Sequence, residues 1–274
     1  MNPDPFSALY TSNDQEETTP AARRTAFRRD PHGSLVSGQD SECRITRDER
    51  GVRKCGSRVR IEESLALEFA SSLQLPVPAV HSVHSCSQRT EILMEFVDGE
   101  CLEEAWMAMN AEQKKDVARQ LRHIVADMRR AQARDRPRIG AFSGPVRDCR
   151  QFSDYVGGPF DCEAEFNTAF VLDFLAGTPS LIRSAVADAL STDSRIVFTH
   201  GDLTPRNIIV KEGRVQALLD WEYAGWYPEY WEYVKFFERP TDCKDWKEYA
   251  EVIFETKYPK DLLTFQALAR WQKP

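Results

Sequence analysis

Three polar side chains of complementary chemistry, Asp202, Asn207 and Asp220, follow one another closely in the last third of the chain. A carboxylate such as that of Asp202 can orient a hydroxyl group and accept its proton. Magnesium prefers hard oxygen ligands and takes only one or two of them from a protein, which suits the amide of Asn207 and the carboxylate of Asp220. These residue types therefore predict a base beside a magnesium site.

Apolar runs on either side of these residues predict the elements that must position them. Residues 196–198 read Ile-Val-Phe, which is typical of a buried strand. A polar loop follows, and then two further apolar runs at 208–210 and 215–219. Because Glu and Gly separate these runs at 212–213, the pattern predicts a β-hairpin.

The hairpin predicts which side chains share a face. If its turn has two residues, Lys211 lies opposite Arg214. Asn207 then lies opposite Leu218, and Asp220 points to the same face as both. Diagonal neighbours of this kind lie about 7–8 Å apart at the backbone, so one ion could be held between their side chains. A three-residue turn would reverse Asp220 and break this arrangement.

The motif HGDLTPRN at 200–207, followed by DWE at 220–222, resembles the aminoglycoside phosphotransferase and choline kinase family. This family shares the protein-kinase fold. The resemblance implies an α+β, two-lobed fold with a small lobe of β-sheet plus helix and a larger, mainly helical lobe. It also implies that magnesium and ATP are cofactors, and that the γ-phosphate passes to a hydroxyl of a small-molecule acceptor. Asp202 would be catalytic, and Asn207 and Asp220 would hold the metal.

A simpler alternative is a β-hairpin with polar loops, in which Asp202 and Asp220 only cap turns. Either motif alone would not outweigh that alternative. Both motifs at this spacing around one hairpin favour the catalytic interpretation.

Residues 61–73 show helical periodicity, with Glu63 in the first turn and Lys54 upstream at the end of a predicted strand. In the family that this segment resembles, the strand lysine holds the ATP phosphates and pairs with the helix glutamate. The alternative is a surface lysine and a glutamate favoured by the helix dipole. As an exposed ion pair, Lys54 and Glu63 are expected to contribute only about 0–1 kcal/mol to stability.

Two further parts of a nucleotide site are predicted from the small lobe. Residues 92–99 resemble the last strand of this lobe and the hinge, where Glu95 and Val97 would offer backbone groups to adenine. A loop over the phosphates is also required, and 33–38 is the only candidate. Its sequence does not match the G-x-G-x-x-G pattern.

Composition divides the chain into three parts. Residues 1–32 are polar and carry several arginines, which predicts a disordered tail. The small lobe is expected at 33–98 and the helical lobe, with the catalytic loop, at 99–274.

Within the helical lobe, periodicity predicts helices at 112–133, 162–175 and 180–190. The aromatic-rich stretch 225–233 is expected to begin another helix. The turn at 157–160, which reads Gly-Gly-Pro-Phe, resembles fungal members of the family in particular.

The composition limits the partners and the compartment. A net charge of −7 and a pI near 5.4 argue against a nucleic-acid or anionic-membrane partner. No long apolar run and no signal-peptide pattern is present, so a membrane span is not expected. The seven cysteines form no C-x-x-C pair, which predicts free thiols in a reducing cytoplasm and disfavours a zinc site. The oligomeric state is left open.

Other functions remain open at this point. The degenerate phosphate loop favours a non-catalytic nucleotide-binding or scaffold protein, whereas the intact catalytic motif opposes it. An interaction protein that uses the arginine tail is a third alternative. A protein substrate is disfavoured because Gly201 stands where protein kinases have arginine, and only seven residues separate Asp220 from Pro228. The acidic residues Glu222, Glu229 and Glu232 would suit a cationic acceptor.

Overall fold

The computed structural model describes residues 28–29, 35–37, 43–86, 89–133, 137–150, 153–175 and 177–271. The expected disordered tail, 1–32, lies outside the described residues except for Arg28–Arg29, which form a short strand. Of the candidate phosphate loop, 33–38, only Leu35–Ser37 are described, and they also form a strand. The sheet therefore begins upstream of the expected lobe boundary, because backbone pairing there does not depend on an apolar side-chain pattern.

Within the described residues, the N-terminal lobe contains one antiparallel sheet and one helix. The sheet has the order β1-β2-β3-β4-β6-β5. Its strands are β1 (Arg28–Arg29), β2 (Leu35–Ser37), β3 (Arg44–Asp48), β4 (Gly51–Gly56), β5 (Val80–Cys86) and β6 (Arg89–Met94). Helix α1 (Ile61–Ser72) packs on β5 and β6 through its buried residues Ala66, Leu67 and Ala70. This confirms the helix predicted at 61–73.

The C-terminal lobe is mainly helical but carries three small sheets. Its described helices are α2 (Leu102–Trp106), α3 (Ala111–Arg130), α4 (Glu163–Phe166), α5 (Ser180–Ala189), α6 (Trp231–Glu238), α7 (Ala250–Ile253) and α8 (Pro259–Trp271). Its strands are β7 (Glu100–Cys101), β8 (Gly140–Ala141), β9 (Val146–Arg150), β10 (Ser153–Gly157), β11 (Ile196–Thr199), β12 (Ile208–Lys211), β13 (Arg214–Leu218) and β14 (Gly225–Pro228). The small sheets have the orders β10-β9, β11-β14-β8 and β13-β12-β7.

The helix predicted at 162–175 is not one regular helix. After α4, Asn167–Val171 form a π-helix and Asp173–Leu175 a 3₁₀-helix. Phe166 and Phe170, four positions apart, would share a face of any helix, and the wider π turn brings Val171 onto the same side; all three are buried. Burial of these side chains thus outweighs regular α-helical hydrogen bonding here.

The prediction for 225–233 is wrong in its first half. Gly225–Pro228 form β14, which pairs with β11 on one side and β8 on the other, and the helix begins only at Trp231. A side chain at Gly225 would lie 2.1 Å from the carbonyl oxygen of Gly140, so this central position requires glycine. Trp226 and Tyr227 point to opposite faces of the strand and are both buried.

The two lobes share one hydrophobic core. It joins Ala66 and Leu67 of α1 and Ile92 of β6 to Phe198 and Leu218 of the C-terminal lobe. A second core lies under α5, α6 and α8. Of the helices in the described ranges, none is both long and apolar enough to cross a membrane.

Candidate active site

The loop between β11 and β12, which carries the HGDLTPRN motif, is held from behind by α6. The carboxylate of Glu232 accepts the backbone N–H of His200 at 2.6 Å and that of Gly201 at 3.2 Å. Gly201 has φ +79°, and a side chain there would lie 2.8 Å from the carbonyl oxygen of Tyr223. The backbone therefore requires glycine, which explains why no arginine stands at this position.

His200 links the two halves of the site. Its Nδ1 accepts the backbone N–H of Asp202 at 3.1 Å, and its Nε2 donates to the carbonyl oxygen of Leu219 at 3.0 Å. This assigns a neutral ring with the proton on Nε2. The ring packs edge-on against Trp221, 4.6 Å away. His200 thus ties Asp202 to the chain segment that carries Asp220.

Asp202 is buried, with 3% exposure, and its carboxylate is surrounded by donors. Asn207 donates its amide nitrogen to Oδ2 at 2.9 Å. Arg206 donates Nη2 to Oδ1 at 3.0 Å and to Oδ2 at 2.8 Å. Arg239, which follows α6, places its Nε 3.5 Å from Oδ1 and also donates to the carbonyl oxygen of Gly201. The carboxylate therefore has one fixed orientation.

The two-residue hairpin turn is confirmed, since Lys211 pairs with Arg214. The predicted pairing of Asn207 with Leu218 is wrong by one residue, because a bulge shifts the register and places Ile208 opposite Leu218. Beside the bulge, the side-chain oxygen of Gln120 of α3 accepts the backbone N–H of Val215. Asn207 instead accepts the N–H of Leu219 through its carbonyl oxygen at 2.8 Å.

Lys54 joins the two lobes across the site. Its Nζ lies 2.8 Å from Oε1 of Glu63 and 2.8 Å from Oδ1 of Asp220. The expected exposed pair is in fact buried, with 7% exposure for Lys54 and 2% for Glu63. The reason is that β4 lies between β3 and β6 and α1 covers this face of the sheet. Asp220 adopts φ +63°, a strained conformation that Asp tolerates better than most residues.

The ammonium group of Lys54 is shared by two carboxylates, those of Glu63 and Asp220. Burial raises the pKa of Glu63 to about 7 despite the adjacent Lys54, and its Oε2 is buried with no hydrogen-bond partner among the described residues. Burial also opposes ionisation of Asp220, but Lys54 outweighs it and holds the pKa of that carboxyl below its ordinary value. Asp220 therefore stays ionised and can bind a cation, whereas Glu63 is the carboxyl that is more readily protonated.

The residues present fit a magnesium ion. Asn207 uses its amide nitrogen to bind Asp202, which leaves the amide oxygen as the ligand atom. Asp220 uses Oδ1 to bind Lys54, which leaves Oδ2. No group of three or more His, Cys, Asp or Glu side chains that could hold a metal occurs in the described part of the chain. A metal bound by these two residues would thus complete its shell with water and phosphate oxygens.

The predicted hinge follows β6 as an extended segment. The backbone N–H of Glu95 donates to the carbonyl oxygen of Ala79 at 2.8 Å, so only the carbonyl of Glu95 is left for a ligand. Val97 lies two residues further on, outside any strand. Their contact with adenine stays a prediction.

The three acidic residues that would suit a cationic acceptor do not form a patch. Glu232 is buried against the HGDLTPRN loop. Glu229 binds Arg129, Arg195 and the hydroxyl of Tyr258. Burial and the neighbouring Asp220 raise the pKa of Glu222.

Sequence reasoning assigned no role in holding the HGDLTPRN loop to three residues that shape the site: Arg206, Glu232 and Arg239. Arg206 lies four positions after Asp202, and this spacing in one loop could have suggested the ion pair. No sequence signal connects Glu232 and Arg239 to a loop more than 30 residues away.

A family model described as the phosphotransferase enzyme family matches residues 24–257. A search of curated proteins finds no match. Among solved structures, similarity extends to a thermostable mutant of the aminoglycoside phosphotransferase APH(4)-Ia in a ternary complex with ADP and hygromycin B. That match has a TM-score of 0.60 and 16% identity, and it covers 87% of this chain and 84% of the other.

Two further structures are similar. The aminoglycoside-3'-phosphotransferase of type VIII gives a TM-score of 0.58 at 12% identity over 87% of this chain and 94% of the other. The streptomycin–ATP–APH(2")-IIa ternary complex gives 0.58 at 10% identity over 85% of this chain and 80% of the other.

The fold is therefore protein-kinase-like and α+β, with a sheet-containing small lobe and a mainly helical large lobe, as the motifs imply. Because the family match spans most of the sequence, the chain belongs to the phosphotransferase enzyme family. A closer likeness to its fungal members stays a prediction.

Proposed function

We propose that this protein transfers the γ-phosphate of ATP, with magnesium, to a hydroxyl of a small-molecule acceptor. The observation that carries the proposal is the contact of Lys54 with both Glu63 and Asp220, each at 2.8 Å. Lys54 and Asp220 are 166 residues apart in sequence. Together with the fixed pair of Asp202 and Asn207, this contact supports one site with a cationic phosphate contact, two metal ligands and a base.

Each residue then has one task. Lys54, held by Glu63, would contact the ATP phosphates, and the carbonyl of Glu95 with the backbone of Val97 would receive adenine. Asn207 and Asp220 would hold magnesium, which supplies positive charge to the phosphate oxygens when bound. Asp202 would orient the acceptor hydroxyl, whose oxygen forms the new P–O bond while the bond to ADP breaks. Asp202 takes the released proton.

The test is ADP release with ATP and magnesium across a panel of acceptors: amino sugars including hygromycin B and streptomycin, neutral sugars, choline-like amines and hydroxy acids. We expect acceptor-dependent ADP release that requires magnesium. Magnesium-dependent ATP binding without ADP release would instead support the non-catalytic nucleotide-binding alternative. Absence of both would refute the proposal.

A further inference from the structure

Arg206 covers the side of Asp202 that faces solvent. Both oxygens of Asp202 accept from its Nη2, at 3.0 and 2.8 Å, while Nη1 donates to the carbonyl oxygen of Pro240 at 3.0 Å. The Arg206 side chain is 37% exposed, whereas that of Asp202 is 4% exposed. The guanidinium thus lies between the carboxylate and the solvent.

An acceptor hydroxyl must take a position that a donor now fills. Oδ1 faces Arg206 and Arg239, and Oδ2 accepts from Arg206 and Asn207. A carboxylate offers about four lone-pair positions, so these contacts occupy most of them. Asn207 and Arg239 are buried and each also donates to a backbone carbonyl of the same loop. Arg206 is the donor that can leave, because its side chain is 37% exposed and its backbone contact, Pro240, lies outside this loop.

We propose that Arg206 is a specificity-determining residue that an acceptor displaces from Asp202, and that its guanidinium then favours neutral or anionic acceptors over cationic ones. The inference rests on the proposed function. Because Nη1 is anchored to Pro240, the displaced guanidinium stays beside the acceptor. A carboxylate on the acceptor can pair with it, whereas an ammonium group meets a like charge.

The surroundings of Arg206 add positive rather than negative charge. Arg239 lies on the other side of Asp202, and Lys247 donates to the carbonyl oxygens of Arg239 and Phe236 nearby. Burial lowers the pKa of Lys247 to about 8, so it remains mostly protonated at neutral pH. Two acidic groups of this region are already paired: Glu232 with loop amides, and Asp148 with Lys235 at 2.8 Å and with Arg239 at 3.9 Å.

The first arm of the test compares acceptors that differ only in charge. Glucose, glucosamine and glucuronate form one set, and glycerol, 3-amino-1,2-propanediol and glycerate form another. We expect kcat/KM of the wild type to be lower for the amine than for the neutral member by about tenfold or more. Arg206→Lys, which keeps the charge, should retain this order of kcat/KM values. In Arg206→Gln, the kcat/KM values of the three members of a set should become nearly equal. Arg214→Gln removes an exposed arginine at the hairpin and is the matched control.

The second arm needs no acceptor. Asp202 is labelled with a carbodiimide and an amine, and its modification is measured by peptide mass spectrometry. Arg206→Gln should label several-fold faster than the wild type and the Arg214→Gln control.

Equal labelling of Asp202 in all three proteins overturns the proposal, as does a ratio of kcat/KM between the amine and the neutral member that Arg206→Gln leaves unchanged. If no acceptor is turned over, the rate of Asp202 labelling alone tests the proposal. Failure of the proposed function is recognised separately, because the wild type would then show no magnesium-dependent ATP binding.

Discussion

Asp202 accepts hydrogen bonds from side chains that follow it in the loop, and the Nε of Arg239 lies 3.5 Å away. Its carboxylate is oriented before any acceptor arrives. Phosphoryl transfer depends mainly on positioning and charge stabilisation, and the proton of the hydroxyl leaves late. A carboxylate fixed by three donors is therefore better suited to holding a hydroxyl in line than to acting as a strong base.

Asp202→Asn keeps the size of the side chain but removes its charge and its ability to accept a proton. We expect turnover on a confirmed acceptor to fall on the order of 10²-fold or more, with ATP affinity nearly unchanged. Steady-state kinetics and calorimetry measure the two quantities. The exposed Asp193→Asn is the control. Wild-type turnover in Asp202→Asn would show that another group orients the hydroxyl.

Asp220→Asn tests the metal site. Asn tolerates the positive φ of this position, so the change removes charge without adding backbone strain. Magnesium loses its only charged protein ligand among the proposed pair, so magnesium should no longer strengthen ATP binding. Calorimetry with and without magnesium gives the answer. If the magnesium effect persisted at wild-type size, the metal would have to be held by other residues.

At the scale of elements, the sequence predicts strand and helix identity better than register. The motif residues Asp202, Asn207 and Asp220 could be recognised because they are close together in sequence. The bulge in β13 could not, since no local sequence pattern marks it, and the adjacent Val215 contacts Gln120 of α3, 95 residues away. The π-helix at Asn167–Val171 and the strand β14 were also not predicted. Both segments bury aromatic side chains, and a run of aromatic residues shows neither the helical nor the strand period.

Helix α1 is joined to β4 by the buried ion pair of Glu63 with Lys54, and Lys54 also binds the partly exposed Asp220. Lys54→Met leaves two carboxylates without their cation, so we expect a loss of about 3–5 kcal/mol in the free energy of unfolding. The double variant Lys54→Met, Glu63→Leu should recover part of this loss, because a buried pair can often be replaced by apolar side chains. Urea unfolding measures both.

The control for this prediction is Lys211→Met. Lys211 also binds a carboxylate at 2.8 Å, that of Asp98, but this pair is exposed. Its loss should cost about 0–1 kcal/mol. Equal costs for Lys54→Met and Lys211→Met would mean that burial of the Lys54 cluster adds nothing to stability. Lys54→Met should in addition weaken ATP binding, whereas Lys211→Met should not.

At the scale of the whole molecule, an aromatic cluster connects the small lobe to the large one. Phe69 of α1 lies 5.1 Å from Phe142, 4.9 Å from Phe198 and 5.8 Å from Trp226, between ring centroids. Because α1 also carries Glu63, these contacts bear on the position of Lys54. The helix is thereby fixed by the large lobe.

Phe142→Ala should therefore affect stability and nucleotide binding together. Phe142 is only partly buried, so we expect a loss of about 1–3 kcal/mol, below the 3–5 kcal/mol typical of a fully buried phenylalanine. ATP affinity should also fall. Leu181→Ala, at a residue that is 79% exposed, should change stability by about 0.5 kcal/mol or less. A loss of stability with wild-type ATP affinity would mean that other contacts position α1.

The free energy of unfolding of the whole molecule should also depend on pH through the buried carboxyl of Glu63. Burial raises its pKa to about 7 from the ordinary value of 4.5, so the folded state holds a proton that the unfolded chain has lost in that interval. The free energy of unfolding should thus fall as the pH rises through this interval and level off above it. Glu63→Gln lacks this titration, whereas buried carboxyls remote from Lys54 contribute equally to both proteins.

We therefore expect the stability of Glu63→Gln relative to wild type to increase by about 1–3 kcal/mol between about pH 5 and pH 8, measured by urea unfolding without ATP or magnesium. Glu68→Gln reports the effect of removing an exposed carboxylate from the same helix. A difference that stayed constant between the two pH values would mean that Glu63 is fully ionised in the folded protein. Lys54 would then stabilise the ionised forms of both Asp220 and Glu63, and Glu63 would not be the more readily protonated of the two.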